Sequence, residues 1–235
     1  MRLKELIAPV FWDAHADIRR GAVQELVAKG GRGSGKSSYL SLELVLQLLR
    51  HPGVHAVVLR KVGATLRTSV YPPICWAIGA LGLGRNLRCT VSPMECTYLP
   101  TGQRIIFRGA DDPTKVKSIK FAVGWAKYPW YEEVNEFEGA EKIRSINQSV
   151  LRGGADFFAF YSFNPPKAAR NWVNQYVAVE REDTLVHHST YLTVPPEWLG
   201  EQFIVEAEHL KTVKPEAYRH EYLGEVTGTG GEVFD

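Results

Sequence analysis

Gly30-Gly31-Arg32-Gly33-Ser34-Gly35-Lys36-Ser37 decides how the rest of this chain reads. The stretch fits GxxxxGK[ST] without a gap. Its glycines let the backbone turn tightly and aim N–H groups at phosphate oxygens. In that pattern Lys36 reaches the β- and γ-phosphates, and the Ser37 hydroxyl ligates Mg²⁺. Residues 23–28 read as a short buried strand before the loop. Residues 38–50 read as a helix after it, with apolar Leu40, Leu44, Leu48 and Leu49. Strand, loop, helix is the context the motif needs, because the helix N-terminus adds its dipole to an anion site. The expected ligand is a nucleoside triphosphate with Mg²⁺.

A length of 235 residues suits one α/β domain or one domain with a small appendage. No apolar run approaches the roughly 20 residues of a membrane span. Cys75, Cys89 and Cys96 form an odd count without CxxC spacing, and read as reduced, partly buried thiols of a cytosol, with metal or disulfide roles as the alternative. The net charge of +2 hides an asymmetry: residues 29–120 carry 14 Lys/Arg against 4 Asp/Glu, and residues 121–235 carry 10 against 18. A basic half containing the phosphate loop suits a polyanion partner as well as a nucleotide. Charges distant in sequence also intermix on a folded surface, so both readings stand.

Along the chain, residues 55–60 form a second short strand after the His51-Pro52-Gly53 break. Residues 64–81 read as mostly helical, interrupted at Pro72-Pro73. Residues 87–91, 95–99 and 104–108 read as successive strands, the last two joined by a hairpin turn at Pro100-Thr101-Gly102. Asp111-Asp112-Pro113-Thr114 opens a helix. Residues 121–123 and 130–133 are strand candidates, followed by a helix over 139–150 and an aromatic strand over 156–163. A helix over 168–180, a strand near 185–189 and helices over 197–210 and 215–223 complete the pattern, and residues 228–231 read as a flexible glycine stretch. Alternating strands and helices imply an α/β fold: a mostly parallel sheet flanked by helices, with an antiparallel hairpin insertion.

Hydrolysis needs acids near the γ-phosphate, and Trp130-Tyr131-Glu132-Glu133 supplies a pair. Neighbouring strand residues point to opposite faces, but at a frayed strand end both carboxylates can approach one site. Glu132 then holds the metal and Glu133 orients and deprotonates water. The alternative is a solvated acidic helix start, since Glu136, Glu138 and Glu141 follow. Pro129 implies that the strand begins there or is irregular. Asn164, at the end of another strand, offers a donor and an acceptor to sense a γ-phosphate, or it simply caps the turn into Pro165-Pro166. Phe11 and Trp12 are either an adenine platform or core. His187-His188 lacks partner ligands and is assigned no site.

These elements in this order resemble the ATPase domain of tailed-bacteriophage terminase large subunits, the PBSX-type branch in particular. The likeness is carried by Gly30 to Ser37, Arg60-Lys61, Thr65-Leu66-Arg67, Phe107 to Pro113 with Lys115 to Ser118, Tyr131 to Phe137, and Ser162-Phe163-Asn164-Pro165-Pro166. It covers almost the whole chain.

The resemblance implies a P-loop NTPase of the additional-strand, catalytic-glutamate class. ATP hydrolysis would drive double-stranded DNA into a procapsid. Glu133, Lys36 and Arg32 would be catalytic, Ser37 and Glu132 would hold Mg²⁺, and Asn164 would couple phosphate loss to motion. Arg67 is the candidate trans arginine finger, with a surface or salt-bridged arginine as the alternative. Lys115, Lys117 and Lys120 either contact DNA backbone or form a solvated helix face. Arg32 likewise has a solvent-facing alternative. The implied partners are a homo-oligomeric ring, pentameric on the capsid, with the portal protein and the small terminase subunit, and no membrane. The implied location is the host cytoplasm, at the procapsid portal. Residues 1–225 are then the motor domain, and residues 226–235 the junction toward a nuclease domain that would follow, so this chain should not cut DNA. The other readings are a helicase or remodelling ATPase, and a nucleotide-dependent switch with little turnover.

Overall fold

A computed structural model describes residues 2–228, apart from the side chains of Pro113 and Lys115. In chain order the elements are α1 (Trp12–Arg20), β1 (Glu25–Gly30), α2 (Lys36–Arg50), β2 (Val54–Arg60), α3 (Tyr71–Ala80), β3 (Leu87–Val91), β4 (Met94–Tyr98) and β5 (Gln103–Gly109). There follow α4 (Pro113–Lys117), β6 (Trp125–Glu132), α5 (Ala140–Val150), β7 (Ala159–Phe163), α6 (Trp172–Ala178), β8 (Thr184–Ser189), α7 (Glu201–Val213) and α8 (Pro215–Glu221).

The strands form one eight-stranded sheet in the order β3-β4-β5-β2-β6-β7-β1-β8. From β5 to β8 every pairing is parallel, while β3, β4 and β5 form an antiparallel meander at one edge. Central strands are buried on both faces, which explains their near-continuous apolar runs. Leu26, Ala28, Val58, Trp130 and Phe160 face a core shared with α1, α2 and α3. Val27, Val57, Leu59, Tyr131 and Tyr161 face the other core, with residues of α5 and α6. The alternation follows from the period of two along a strand. α2 is buried almost all round, including Glu43. His15 Nδ1 lies 2.7 Å from one Glu43 oxygen and Gln47 donates to the other at 2.7 Å, so the buried carboxylate is satisfied.

The structure corrects several expectations. Pro72 and Pro73 lie in the first turn of α3, where the missing N–H costs nothing, so they open the helix rather than interrupt it. Residues 121–123 are irregular, and the strand begins at Trp125. β6 does not begin at Pro129, which stands opposite Val57, but it is irregular just before it, the second of the two alternatives. A bulge between His55 and Ala56 precedes it, and pairing to β7 starts one residue later, at Trp130. α6 is shorter than expected because Asn171 caps it, accepting from the Val173 N–H at 3.1 Å. Cys89 and Cys96 are not separate thiols: they face each other across the β3–β4 ladder and pair as a disulfide. Gly228 is held in a bridge with Ala168. Residues 229–235, most of the expected junction, lie outside the described residues.

Candidate nucleotide site

Strand order explains how residues far apart in sequence meet. β7 lies between β1 and β6, and the phosphate loop, Asn164 and the acid pair follow the carboxyl ends of these three strands. Register aligns Glu132 with Ser162 and Ser162 with Ala28, so the three strand ends are level. Ligands of open α/β sheets bind at such carboxyl ends.

In the loop, Gly33 and Gly35 have φ of +69° and +75°, a region that glycine enters without penalty. Gly35 is the N-cap of α2, so the loop ends on a helix N-terminus. Lys36 is buried. Its Nζ donates to Gly30 O at 3.4 Å, Gly31 O at 3.2 Å, Ser34 Oγ at 3.4 Å and Asn164 Oδ1. Burial pulls the Lys36 ammonium down to about 8, opposed by the charges of Glu133 and then Glu132.

β6 ends at Glu132, and Glu133 turns into the left-handed region with φ 51° and ψ 54°. Among the described residues it is the only non-glycine residue at positive φ. Such a conformation costs on the order of 1 kcal/mol or more and persists where its surroundings impose it. The turn brings the second carboxylate toward Lys36, which acts on both acids. The Asn164 backbone stands near the Glu133 carboxylate and favours its charged form. Asn164 therefore binds the loop lysine through its side chain and stands beside the acid.

Arg60, at the end of β2, is the partner that sequence reasoning left without a role. Its Nε lies 2.7 Å from Glu132 Oε2, misaligned for a hydrogen bond, and its Nη2 reaches Glu136 at 3.4 Å. The local signal in the sequence was a cation closing an apolar strand. Burial pushes Glu132 up to about 7, against the opposing pull of Arg60. Burial also raises Glu133, opposed by Lys36 and Arg60.

A stability prediction follows. A carboxyl whose folded value of about 7 exceeds its ordinary 4.5 binds its proton more tightly when folded. Its contribution to stability is whole below 4.5 and lost as pH rises through 7. Glu132→Gln removes that loss. Urea unfolding at pH 5 and pH 8 should show the variant gaining on the wild type by about 2–3 kcal/mol over this interval. A difference that does not change with pH would contradict the assignment.

The other predicted residues are placed as follows. Ser37 is half-buried in the first turn of α2. Arg32 is largely exposed and lies 3.6 Å from Glu221 on α8. Arg67, Lys117 and Lys120 are exposed, and the side chain of Lys115 lies outside the described residues. Phe11 is buried and stacks on Tyr39 with centroids 4.4 Å apart. It still lines a cavity of about 190 Å³ with Gly33, Gly35, Ser38 and Val194, so core and pocket roles coexist in one ring. Trp12 packs edge-on to His15 instead. His187 and His188 bond the carbonyls of Val10 and Leu223.

A further requirement on the loop was invisible in the motif. The α7–α8 pair roofs it. A Cβ on Gly31 would lie 2.0 Å from Tyr222 O, and one on Gly33 would lie 2.4 Å from Phe203 Cζ. Arg32 N–H donates to Glu221 O at 2.8 Å. These glycines serve packing against α7–α8 as well as phosphate approach.

A glycine loop at a helix start, an acid pair and a polar residue at level strand ends together define a P-loop NTPase fold. Sequence and structure comparisons give the family. The phage terminase large subunit family matches residues 24–225, and the chain belongs to it. It is 38% identical over 245 residues to the terminase large subunit of Bacillus phage SPP1, covering 100% of this chain and 56% of that protein. It is 29% identical over 208 residues to the PBSX phage terminase large subunit of Bacillus subtilis strain 168, covering 81% and 46%. This chain thus spans about half the length of these relatives. The large terminase of a thermophilic bacteriophage superposes with a TM-score of 0.74 at 14% identity, covering 93% of this chain and 53% of that one. The same thermophilic phage protein has also been solved in complex with ATP-γ-S.

Proposed function

We propose that this chain hydrolyses ATP as the motor domain of a packaging terminase, and that hydrolysis drives double-stranded DNA into an empty capsid. The observation that carries the reading is Lys36, buried in the loop, bonded to Asn164 and acted on by the charges of Glu133 and Glu132. The names of the relatives and the nucleotide complex of the thermophilic phage terminase support it.

Backbone N–H groups of residues 33–37 hold the phosphates, and Lys36 exchanges its carbonyl and amide partners for β- and γ-phosphate oxygens. Glu133, whose carboxyl is raised by burial, takes the proton of the attacking water. Glu132 Oε2 is buried, makes no aligned hydrogen bond and already faces a cation, the Arg60 guanidinium at 2.7 Å, as a metal-binding carboxylate can. Glu132 and Ser37 would hold Mg²⁺, which supplies charge neutralisation at the phosphates. Phosphoryl transfer is mostly positioning and electrostatics, so these groups suffice. Arg32 swings from Glu221 to the phosphates. Arg67, exposed, reaches a neighbouring subunit's site, and Lys115, Lys117 and Lys120 touch the DNA backbone without reading bases. Residues 1–225 form the motor, in a ring at the procapsid portal with the small terminase subunit, in the host cytoplasm. No helix among the described residues is long and apolar enough to cross a membrane.

The test is ATP turnover with and without duplex DNA, together with strand separation on a forked duplex. The proposal expects DNA to raise turnover and strands to stay paired. Separated strands would establish the helicase reading, and turnover near zero in both conditions would establish the switch. Asn164→Ala should leave ATP affinity within a few-fold but lower DNA-stimulated turnover. A large loss of affinity would remove its coupling role.

A further inference from the structure

The three cysteines of the chain come from three elements and meet in one place. Cys75 lies on α3, Cys89 on β3 and Cys96 on β4, and their sulfurs all lie within 4.8 Å of one another. Cys89 and Cys96 are directly opposed in the ladder, with Cα atoms 4.0 Å apart, and form the disulfide. Cys75 is the free thiol beside it. A disulfide uses two sulfurs; the third, at ligand distance from both, has no part in it. Tyr71, one turn earlier on α3, stands beside Cys75. Cys96 is fully buried while Cys75 and Cys89 are half-buried, so the cluster is anchored in the core and open on one side. β3 forms the sheet edge and β1 stands near the opposite edge, so the cluster belongs to no part of the nucleotide site.

We propose that, when Cys89 and Cys96 are reduced, the three thiolates form a binding site for a thiophilic divalent cation of the zinc class, with water as the fourth ligand. Zinc–sulfur bonds of about 2.3 Å in a tetrahedron set the sulfurs about 3.8 Å apart. Sulfurs already within 4.8 Å reach that arrangement by a small side-chain movement. Opening the disulfide takes two electrons and two protons from a thiol or phosphine reductant. Cation binding then releases the three thiol protons to solvent. The bound ion cross-links α3 to the edge hairpin, which no covalent bond does in the oxidised form.

The test uses the intact chain, reduced with a phosphine under argon, desalted and titrated with Co²⁺ without nucleotide. One equivalent of Co²⁺ should produce a thiolate-to-metal charge-transfer band and the intense visible bands of a tetrahedral site, and Zn²⁺ should bleach both. Cys75→Ser should weaken Co²⁺ binding on the order of 100-fold, with far-UV circular dichroism and ATP turnover unchanged. Cys89→Ser should do the same from the hairpin side, and serves if the first variant does not fold. No sulfur-to-cobalt band after reduction, equal affinity in both serine variants and the wild type, or a disulfide that survives the phosphine would each overturn the site.

Discussion

Lys36→Ala is expected to lower ATP turnover by at least about a thousandfold, roughly 4 kcal/mol of transition-state stabilisation, and to leave the fold intact. The ammonium stands at the centre of the loop, shared among two loop carbonyls, Ser34 and Asn164. At about 8 it is still cationic at neutral pH, so it brings its charge to the phosphates. Truncation removes that charge and also the desolvation cost of holding it, and water can satisfy the carbonyls left behind. The fold should therefore survive, and a thermal melt followed by circular dichroism checks it beside a turnover assay. Retained turnover in a folded variant would place the chemistry elsewhere.

Glu133→Gln should lower turnover by roughly a thousandfold, within the range expected for loss of a general base, while ATP affinity stays within a few-fold of the wild type. Glutamine keeps the size and shape of the side chain, so the left-handed turn of the backbone is expected to be preserved. Only the proton acceptor is lost. Single-turnover hydrolysis and equilibrium ATP binding, measured on the same preparation, separate the two effects. Equal and slow hydrolysis in both proteins would mean that the domain works as a binding switch. The pair of variants divides the site: Lys36→Ala should weaken nucleotide affinity as well as turnover, whereas Glu133→Gln should lower turnover alone.

Much of this site was legible in the sequence because its parts obey local rules. The phosphate loop is contiguous, and its glycines, lysine and strand–helix flanks are fixed by backbone geometry. The acid pair and Asn164 could be named because each ends an apolar strand. What the sequence could not show was that β7 lies between β1 and β6, which brings Asn164 onto Lys36 and beside Glu133. Strand order is a long-range property and leaves no local mark. Arg60 was missed for the same reason, since its meaning lies in β2 pairing with β6. The roof over Gly31 was hidden because Tyr222 contributes a backbone oxygen, and any residue type supplies one. Local rules also misled in places. Pro72-Pro73 breaks a helix in its interior but starts one in its first turn. The odd cysteine count said nothing of Cys89 and Cys96 being ladder partners.

The central claim is that a lysine-centred cradle and a neighbouring acid pair converge on the terminal phosphate of ATP. A crystal structure with a non-hydrolysable ATP analogue and Mg²⁺ tests it most directly. The account predicts that Lys36 Nζ moves from Gly30 O and Gly31 O to β- and γ-phosphate oxygens, with Glu133 one water away from the terminal phosphorus and Glu132 in the metal's coordination or hydration shell. Both carboxylates lying beyond water-bridging reach of that phosphorus would contradict it.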